Sequence, residues 1–337
     1  MIKDAIAKLA DHSSLTEQEV ESVMLEIMEG ATTQAQIAAY LMGLRLKGET
    51  VEEVAGSVRA MRSKAVRIAV RDSLVVDTCG TGGDGAHTFN ISTTAAFVVA
   101  GAGLTVAKHG NRSVSSKSGS ADVLSALGVK IDLPTERVTD CINEVGIGFL
   151  FAPLYHGAMR HCAVPRHELG IRTILNLLGP LTNPAGATIQ VLGVYESRLT
   201  SLLGNVLMRL GSQHCFVVHG MDGLDEITLT TKTQISEAKG GVLSNYLLDP
   251  TEFGLALVPA KQLAGGTPQE NAVITRDILQ GRKGPRRDIV CLNVAPALVA
   301  GRKAANLQEG FRLAGQVIDS AAAAEKLARL IAFTNKG

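Results

Sequence analysis

Leu74-Val75-Val76-Asp77-Thr78-Cys79-Gly80-Thr81-Gly82-Gly83-Asp84 is the stretch on which the fold turns, read with Asn90-Ile91-Ser92-Thr93 and Lys108-His109-Gly110-Asn111-Arg112 downstream. The apolar run Leu74-Val75-Val76 reads as a strand that ends in glycines. A helical pattern opens near Asn90, and a β-branched run at 104–107 ends in Lys108. Strand, glycine loop, helix and strand in this order define one unit of a parallel α/β sheet. The glycines carry no Cβ, so their N–H groups can approach a phosphate closely. Asn90 and Ser92 fall where a helix begins, a natural anion site, and Ser92 suits both a helix cap and a hydroxyl ligand for Mg2+. Lys108, Arg112 and Lys117 add positive charge, and Ser113, Ser115, Ser116, Ser118 and Ser120 add hydroxyls. Together these describe a pocket for a phosphorylated sugar.

Outward from this unit the texture repeats. Runs at 74–77, 104–107, 148–151, 188–194, 215–219 and 242–248 read as strands, and segments near 92–101, 120–127, 135–145, 199–210, 269–281 and 310–332 as helices. The alternation predicts an α/β fold whose mainly parallel central sheet is flanked by helices. Residues 1–65 read as all-helical. Thr16 with Glu19, Thr33 with Gln36 and Thr50 with Glu53 fit capping boxes, and Gly30 and Gly48 suit helix ends. The stripe Ile37, Tyr40, Leu41 and Leu44 suits a core, or in part a face toward a second subunit. Glu168 to Leu178 reads helical, after which Gly179-Pro180-Leu181-Thr182-Asn183-Pro184 turns the chain. The expected division is a discontinuous small helical domain, 1–70 plus about 166–185, and a large α/β domain, 71–165 plus 186–337. Gly265-Gly266 reads as an ordinary loop.

The chain has 337 residues, 46% hydrophobic and 4% aromatic, with 35 glycines and no tryptophan. Abundant small and aliphatic residues suit close helix-on-sheet packing. Lys and Arg number 33 against 32 Asp and Glu. That balance argues against a broad nucleic-acid or membrane surface, though not against a local basic patch. Cys79, Cys141, Cys162, Cys215 and Cys291 are scattered without a Cys-x-x-Cys pair, which points to reduced thiols. With no charged-then-apolar leader and no apolar run of membrane length, a cytoplasmic protein is expected.

The glycine loop is neither a Walker A sequence nor a dinucleotide fingerprint. By itself it is as good a tight turn as a ligand loop; its neighbours favour the ligand. Lys108 to Arg112 end a strand on the side where open α/β sheets bind ligands. Asp222-Gly223-Leu224-Asp225-Glu226 follows the strand at 215–219, and paired carboxylates there suit a hard cation. Adjacent side chains diverge, so Asp225 and Glu226 can serve separate ions. His156, His161, Cys162 and His167 fit no structural zinc spacing. Arg166 or Arg172 can hold a substrate carboxylate bidentately, or pair with Glu168 or another acid. No nucleophile elbow or Ser-His-Asp arrangement supports hydrolysis.

With these residues laid out, nearly the whole chain resembles the anthranilate phosphoribosyltransferase family. The resemblance rests on Gly80 to Asp84, Asn90 to Thr93, Lys108 to Arg112, Glu168-Leu169-Gly170-Ile171-Arg172-Thr173, Asn176 to Pro184 and Asp222 to Glu226, in family order. It implies a small helical domain joined to an α/β domain, as in pyrimidine nucleoside phosphorylases, and a homodimer. It also implies transfer of phosphoribosyl from phosphoribosyl pyrophosphate to anthranilate, in tryptophan biosynthesis. By motif position, the donor site comprises Gly80, Gly82, Gly83, Asp84, Thr88, Asn90, Ile91, Ser92, Thr93, Lys108, His109, Gly110, Asn111, Arg112, Ser113, Val114, Ser115, Ser116 and Ser120. Lys108, Asn111 and Arg112 are the catalytic candidates. Gly80, Asn111 and Arg166 correspond to the anthranilate site, and Ser92, Asp225 and Glu226 to ligands of two Mg2+ ions. His156-Gly157-Ala158 stands where family members usually read His-Pro-Ala, and Val164-Pro165-Arg166 where they often read Pro-Val-Arg.

The rival readings are a nucleoside phosphorylase on the same fold and a nucleic-acid-binding relative of it. A phosphorolysis assay with thymidine or uridine distinguishes the first. A salt-dependent DNA shift distinguishes the second.

Overall fold

The computed structural model describes residues 1–113 and 117–336. Four helices come first: α1 Ile2–Ala10, α2 Glu17–Met28, α3 Gln34–Lys47 and α4 Val51–Lys64. The three expected capping boxes are present at α2, α3 and α4, each satisfying backbone donors that a helix start leaves open. Glu53 is fully buried. It pairs with Lys47 at 2.9 Å and accepts from the Leu15 and Thr50 amides, so one carboxylate pins two turns. Ile37, Tyr40, Leu41 and Leu44 are each at most 1% exposed within the single chain, so the stripe is core, not a face toward another subunit.

The rest alternates. In order come β1 Val75–Gly80, α5 Ile91–Gly101, β2 Thr105–Gly110, α6 Ser120–Leu127, α7 Thr135–Val145, β3 Ile147–Phe151 and the single turn α8 Ala152–Tyr155. Then follow α9 Ala163–Leu169, α10 Leu175–Leu181, β4 Ile189–Gly193, α11 Arg198–Arg209, β5 His214–Gly220, β6 Thr233–Lys239 and β7 Val242–Leu248. Four helices end the chain: α12 Pro268–Leu279, α13 Pro285–Ala300, α14 Leu307–Asp319 and α15 Ala322–Asn335.

The described residues form a seven-stranded sheet ordered β3-β2-β1-β4-β5-β6-β7. The first five strands are parallel, and β6 and β7 add as antiparallel edge strands. Both faces are covered, as the mainly parallel sheet requires. Phe216 and Val218 of β5 point into a core with α5, α12, α13 and α14, while Cys215 and Val217 point into the core that holds α2, α3, α4 and α11. Fully burying Phe216 contributes about 1.5–3 kcal/mol.

Four sequence expectations need correction. β6 was not expected: Thr233-Gln234-Ile235-Ser236-Glu237-Ala238-Lys239 is polar, and it is a strand because it pairs with β5 on one side and β7 on the other. α13 was missed because it is buried on nearly every side and carries Pro285 and Pro296, leaving no amphipathic period to read. The expected helix 310–332 is two helices, broken where Ala321 takes φ +63°. The expected helix Glu168–Leu178 is also two, since α9 ends at Leu169, capped by Gly170, and α10 begins at Leu175, with Gly179 and Pro180 inside α10 and not in a turn.

Candidate active site

The strand order reverses at β1, which lies between β2 and β4; ligands of open α/β sheets bind at the carboxyl ends beside such a reversal. There β1 ends in Gly80 and β4 in Gly193, paired in register. Between them sits the turn after β5. A Cβ on Gly193 would lie 1.5 Å from the Asp225 carbonyl oxygen, and one on Gly80 would lie 2.5 Å from Asp225 Oδ2. Two glycines at the reversal therefore make room for the acidic turn.

From that turn the carboxylates diverge. Asp225 Oδ2 accepts the Gly82 N–H at 2.7 Å beside the Asp84 carboxylate, while Glu226 Oε1 accepts the Ser92 N–H at 3.1 Å. Gly82 and Gly83 have φ of +66° and +76°, a conformation that side chains resist. Thr78 Oγ1 holds the Ser92 carbonyl at 2.9 Å, tying β1 to the first turn of α5. Ser92 does not cap α5: Asn90 occupies that position, and its side chain instead bonds the Ser118 carbonyl and Asn271.

Lys108 and His109, near the end of β2, are buried, while Asn111 and Arg112 just beyond it are exposed. Lys108 Nζ donates to the Thr78 carbonyl at 2.5 Å and lies near Asp77 and Glu226. Burial pushes Asp77 up to about 6, opposed by Lys108 and the Asn183 amide. Gly110 lies against Ser120 and the Phe149 ring. Asn111 is exposed, and its Oδ1 accepts the Arg112 N–H at 2.7 Å. Arg112 pairs with Asp122 at 2.9 Å, so part of its expected charge is already answered within the chain. Asp122 also accepts the Ser113 and Gly119 amides. The expected Val114, Ser115 and Ser116 contacts lie outside the described residues.

The loop at Gly265-Gly266 is not ordinary. Gly265 N–H donates to the His87 carbonyl at 2.9 Å, Thr88 bridges to Ala264, and Gly266 N–H reaches Asn271 Oδ1. This segment walls the end of the loop, from His87 to Phe89, that leads into α5. Asn271, buried in α12, was missed because nothing local marks it. Tyr195 was also missed, although it follows a strand end, where site residues gather.

Arg166 is exposed on α9. It is Arg172, not Arg166, that touches the glycine loop among the described residues: it donates to the Gly83 carbonyl and stacks 4.1 Å over the Tyr195 ring. His109 and His156 meet edge-on at 5.1 Å, and burial lowers their pKa values to about 3 and about 4. Both rings stay neutral at pH 7.

The acidic turn suits a divalent cation. Burial and the neighbouring Asp84 push Asp225 well up, and burial raises Glu226 to about 7 against the pull of Lys108. Among the described residues neither carboxylate has a salt bridge, and no three His, Cys, Asp or Glu converge on one point. A hard cation would relieve this crowded negative charge, since it takes oxygen ligands.

Residues 72–324 match the glycosyl transferase family, a/b domain, and residues 3–65 match its helical bundle domain. Fold and site thus define a two-domain glycosyl transferase. A protein named anthranilate phosphoribosyltransferase from Desulfosudis oleivorans is 56% identical over 335 residues, covering 99% of each chain. The solved anthranilate phosphoribosyltransferase of Thermus thermophilus superposes with a TM-score of 0.93 at 44% identity, over 99% of this chain and 100% of that one. The Saccharomyces cerevisiae enzyme, solved in complex with PRPP and Mg, superposes with a TM-score of 0.90 at 28% identity, over 99% and 97%. The chain belongs to the anthranilate phosphoribosyltransferase family.

Proposed function

We infer that the chain transfers the 5-phosphoribosyl group of phosphoribosyl pyrophosphate to the amine of anthranilate. The products are N-(5-phosphoribosyl)anthranilate and pyrophosphate, in the second step of tryptophan biosynthesis from chorismate. The observation that carries this reading is the meeting of Gly80–Asp84, Ser92, Lys108 and Asp225-Glu226 at one strand reversal. A glycine loop, a helix start, a buried cation and two carboxylates there suit a diphosphate with its metal.

Gly80, Gly82, Gly83, Asp84, Thr88, Asn90 to Thr93, Lys108 to Ser113 and Ser120 form the donor site, with Val114, Ser115 and Ser116 assigned by motif. Gly80, Asn111 and Arg166 hold anthranilate. Ser92, Asp225 and Glu226 hold Mg2+, and their divergence supports two ions. Mg2+, when bound, supplies positive charge to the leaving pyrophosphate. Lys108, fixed by Thr78, adds a second cation on the same side, and Asn111 and Arg112 complete the set.

Anthranilate is a weakly basic aromatic amine, neutral at pH 7, so its lone pair needs no strong base. The ribose C1–O bond breaks toward pyrophosphate as the C1–N bond forms, through an oxocarbenium-like transition state, and the nitrogen then loses its proton. The chain's task is positioning and charge stabilisation. We assign 1–70 plus about 166–185 to the small domain and 71–165 plus 186–337 to the large one. The packing of Leu175, Leu177, Leu178 and Leu181 in one core with α2–α4 supports that division. Among the described residues no helix is long and apolar enough to cross a membrane. We expect a cytoplasmic homodimer that needs neither nucleic acid nor membrane.

The test is anthranilate fluorescence with purified protein and phosphoribosyl pyrophosphate, with and without Mg2+. Loss of signal that requires both donor and metal is expected. Donor binding without anthranilate consumption would overturn the acceptor.

A further inference from the structure

Arg172 lies in the five-residue connection between α9 and α10, in the segment that also carries the acceptor candidate Arg166. The connection is anchored at both ends. Gly170, at φ +62°, stops α9, and the Thr173 N–H bonds Asn176 Oδ1 at 3.1 Å to start α10. From this fixed base the Arg172 guanidinium reaches the Gly83 carbonyl, 89 positions away in sequence, while its Cζ lies over the Tyr195 ring, 4.1 Å from the centroid. Tyr195 is itself fixed to the same loop, since its N–H is held by Thr81 Oγ1 at 3.2 Å, and the Thr81 N–H bonds Gly193 O at 2.9 Å.

The loop needs such support. A Cβ on Gly82 or Gly85 would meet nothing within 4 Å, so little packs on this stretch from its sides. Its described anchors are Thr81 on the end of β4, the Gly82 N–H on Asp225 and the Gly83 carbonyl on Arg172 at its start, and Gly265 on the His87 carbonyl with the Thr88–Ala264 bridge at its end. In a trans peptide the carbonyl and the next N–H point opposite ways. Holding the Gly83 carbonyl toward Arg172 therefore turns the Asp84 N–H away from it and sets the direction of the following chain. Only a planar, multiply donating cation can stack on Tyr195 and donate in its own plane at the same time.

We propose that Arg172 is a positioning residue for the phosphoribosyl donor: stacked on Tyr195, it clamps the Gly83 carbonyl and couples the acceptor-side connection to the donor loop. This rests on the assignment of Gly80–Asp84 to the donor site. Arg172 touches neither reacting atom, and its effect passes through the loop.

Arg172→Ala, Arg172→Lys and Tyr195→Ala are each compared with the wild-type chain by steady-state kinetics varying each substrate, and by hydrogen exchange of residues 82–88 without ligand. Arg172→Ala should raise the KM for phosphoribosyl pyrophosphate by about tenfold, the worth of one hydrogen bond from a charged group. The KM for anthranilate should stay within about twofold, and exchange across 82–88 should quicken. Arg172→Lys keeps the charge but loses the stacked fork and should recover only part of the donor affinity. Tyr195→Ala should move the same parameters in the same direction. A rise confined to the anthranilate KM would make Arg172 an acceptor contact and overturn the proposal. So would full recovery by Lys, or unchanged exchange in Arg172→Ala. Wild-type turnover is read in the same experiment, so failure of the clamp is separable from failure of the transferase reading.

Discussion

Lys108 is 4% exposed at the end of β2, with its Nζ on the Thr78 carbonyl and the acids Asp77 and Glu226 nearby. A buried cation so placed is already oriented before charge develops, so it costs no reorganisation during reaction. Lys108→Ala should lower kcat by about 100-fold and also raise the donor KM. An unchanged kcat in steady-state assays would remove Lys108 from the chemistry. Arg166→Ala should act differently, raising the KM for anthranilate by about tenfold with kcat nearly unchanged. An effect on the phosphoribosyl donor alone would show that the acceptor assignment of Arg166 is wrong. The lysine was legible because a cation closing a strand is a local pattern. The Tyr195 contact of Arg172 was not, since nothing within either segment names the other.

At the scale of elements, the site depends on how closely three strand ends approach the acidic turn. β1 and β4 end in paired glycines because Asp225 occupies the space a side chain would need, with its carboxylate at Gly80 and its backbone at Gly193. Gly193→Ala would place a methyl 1.5 Å from the Asp225 carbonyl oxygen, so backbone must shift. The expected cost is about 1–3 kcal/mol in urea unfolding, typical of overpacking, with a higher Mg2+ requirement for turnover. A variant with wild-type Mg2+ dependence would show that the turn is not set by this glycine pair. The strand positions were readable from β-branched runs and the loops from glycine. The approach of the turn was not, because it joins residues from β4 and the far end of β5.

Across the whole molecule, the histidine pair links the sheet to α10. His109 Nδ1 bonds the Gly179 carbonyl at 3.2 Å, and the His156 ring meets His109 edge-on at 5.1 Å. Their pKa values fall from the ordinary 6.5 to about 3 and about 4, chiefly by burial. A depressed histidine pKa contributes stability that is fully present above 6.5 and lost as pH falls through the folded value. Asp77, raised to about 6, works the other way, its contribution growing as pH falls toward 4. Comparing His156→Gln with wild type isolates one histidine from this opposition. The variant should lose less stability than wild type between pH 6.5 and 4.5, the difference reaching at most about 1.4 kcal/mol per pH unit. Parallel urea midpoints for the two proteins across that range would show that His156 is not a buried neutral group. The same scale explains the core: α11 packs its Leu199, Leu203, Val206 and Leu207 with the N-terminal helices, so helical and α/β parts share continuous apolar contact.

By itself the sequence determined the three helix caps at Thr16, Thr33 and Thr50, six of the seven described strands, the glycine loop, the buried lysine's strand end and the acidic turn. Each is written in neighbouring residues, as a cap spacing, a run of β-branched residues or a cluster of glycines. Only the tertiary structure decided that Thr233–Lys239 is a strand, that Pro285–Ala300 is a helix, and that Gly265 walls the donor loop. It likewise decided that Arg172 holds Gly83 and that Gly193 yields space to Asp225. β6 pairs with residues 13 to 25 positions away on β5, Gly193 meets Asp225 32 positions on, Arg172 reaches Gly83 89 positions back and Gly265 bonds His87 178 positions back, partners that no local pattern names. Local sequence encodes backbone preference, whereas burial and close approach are properties of the packed chain.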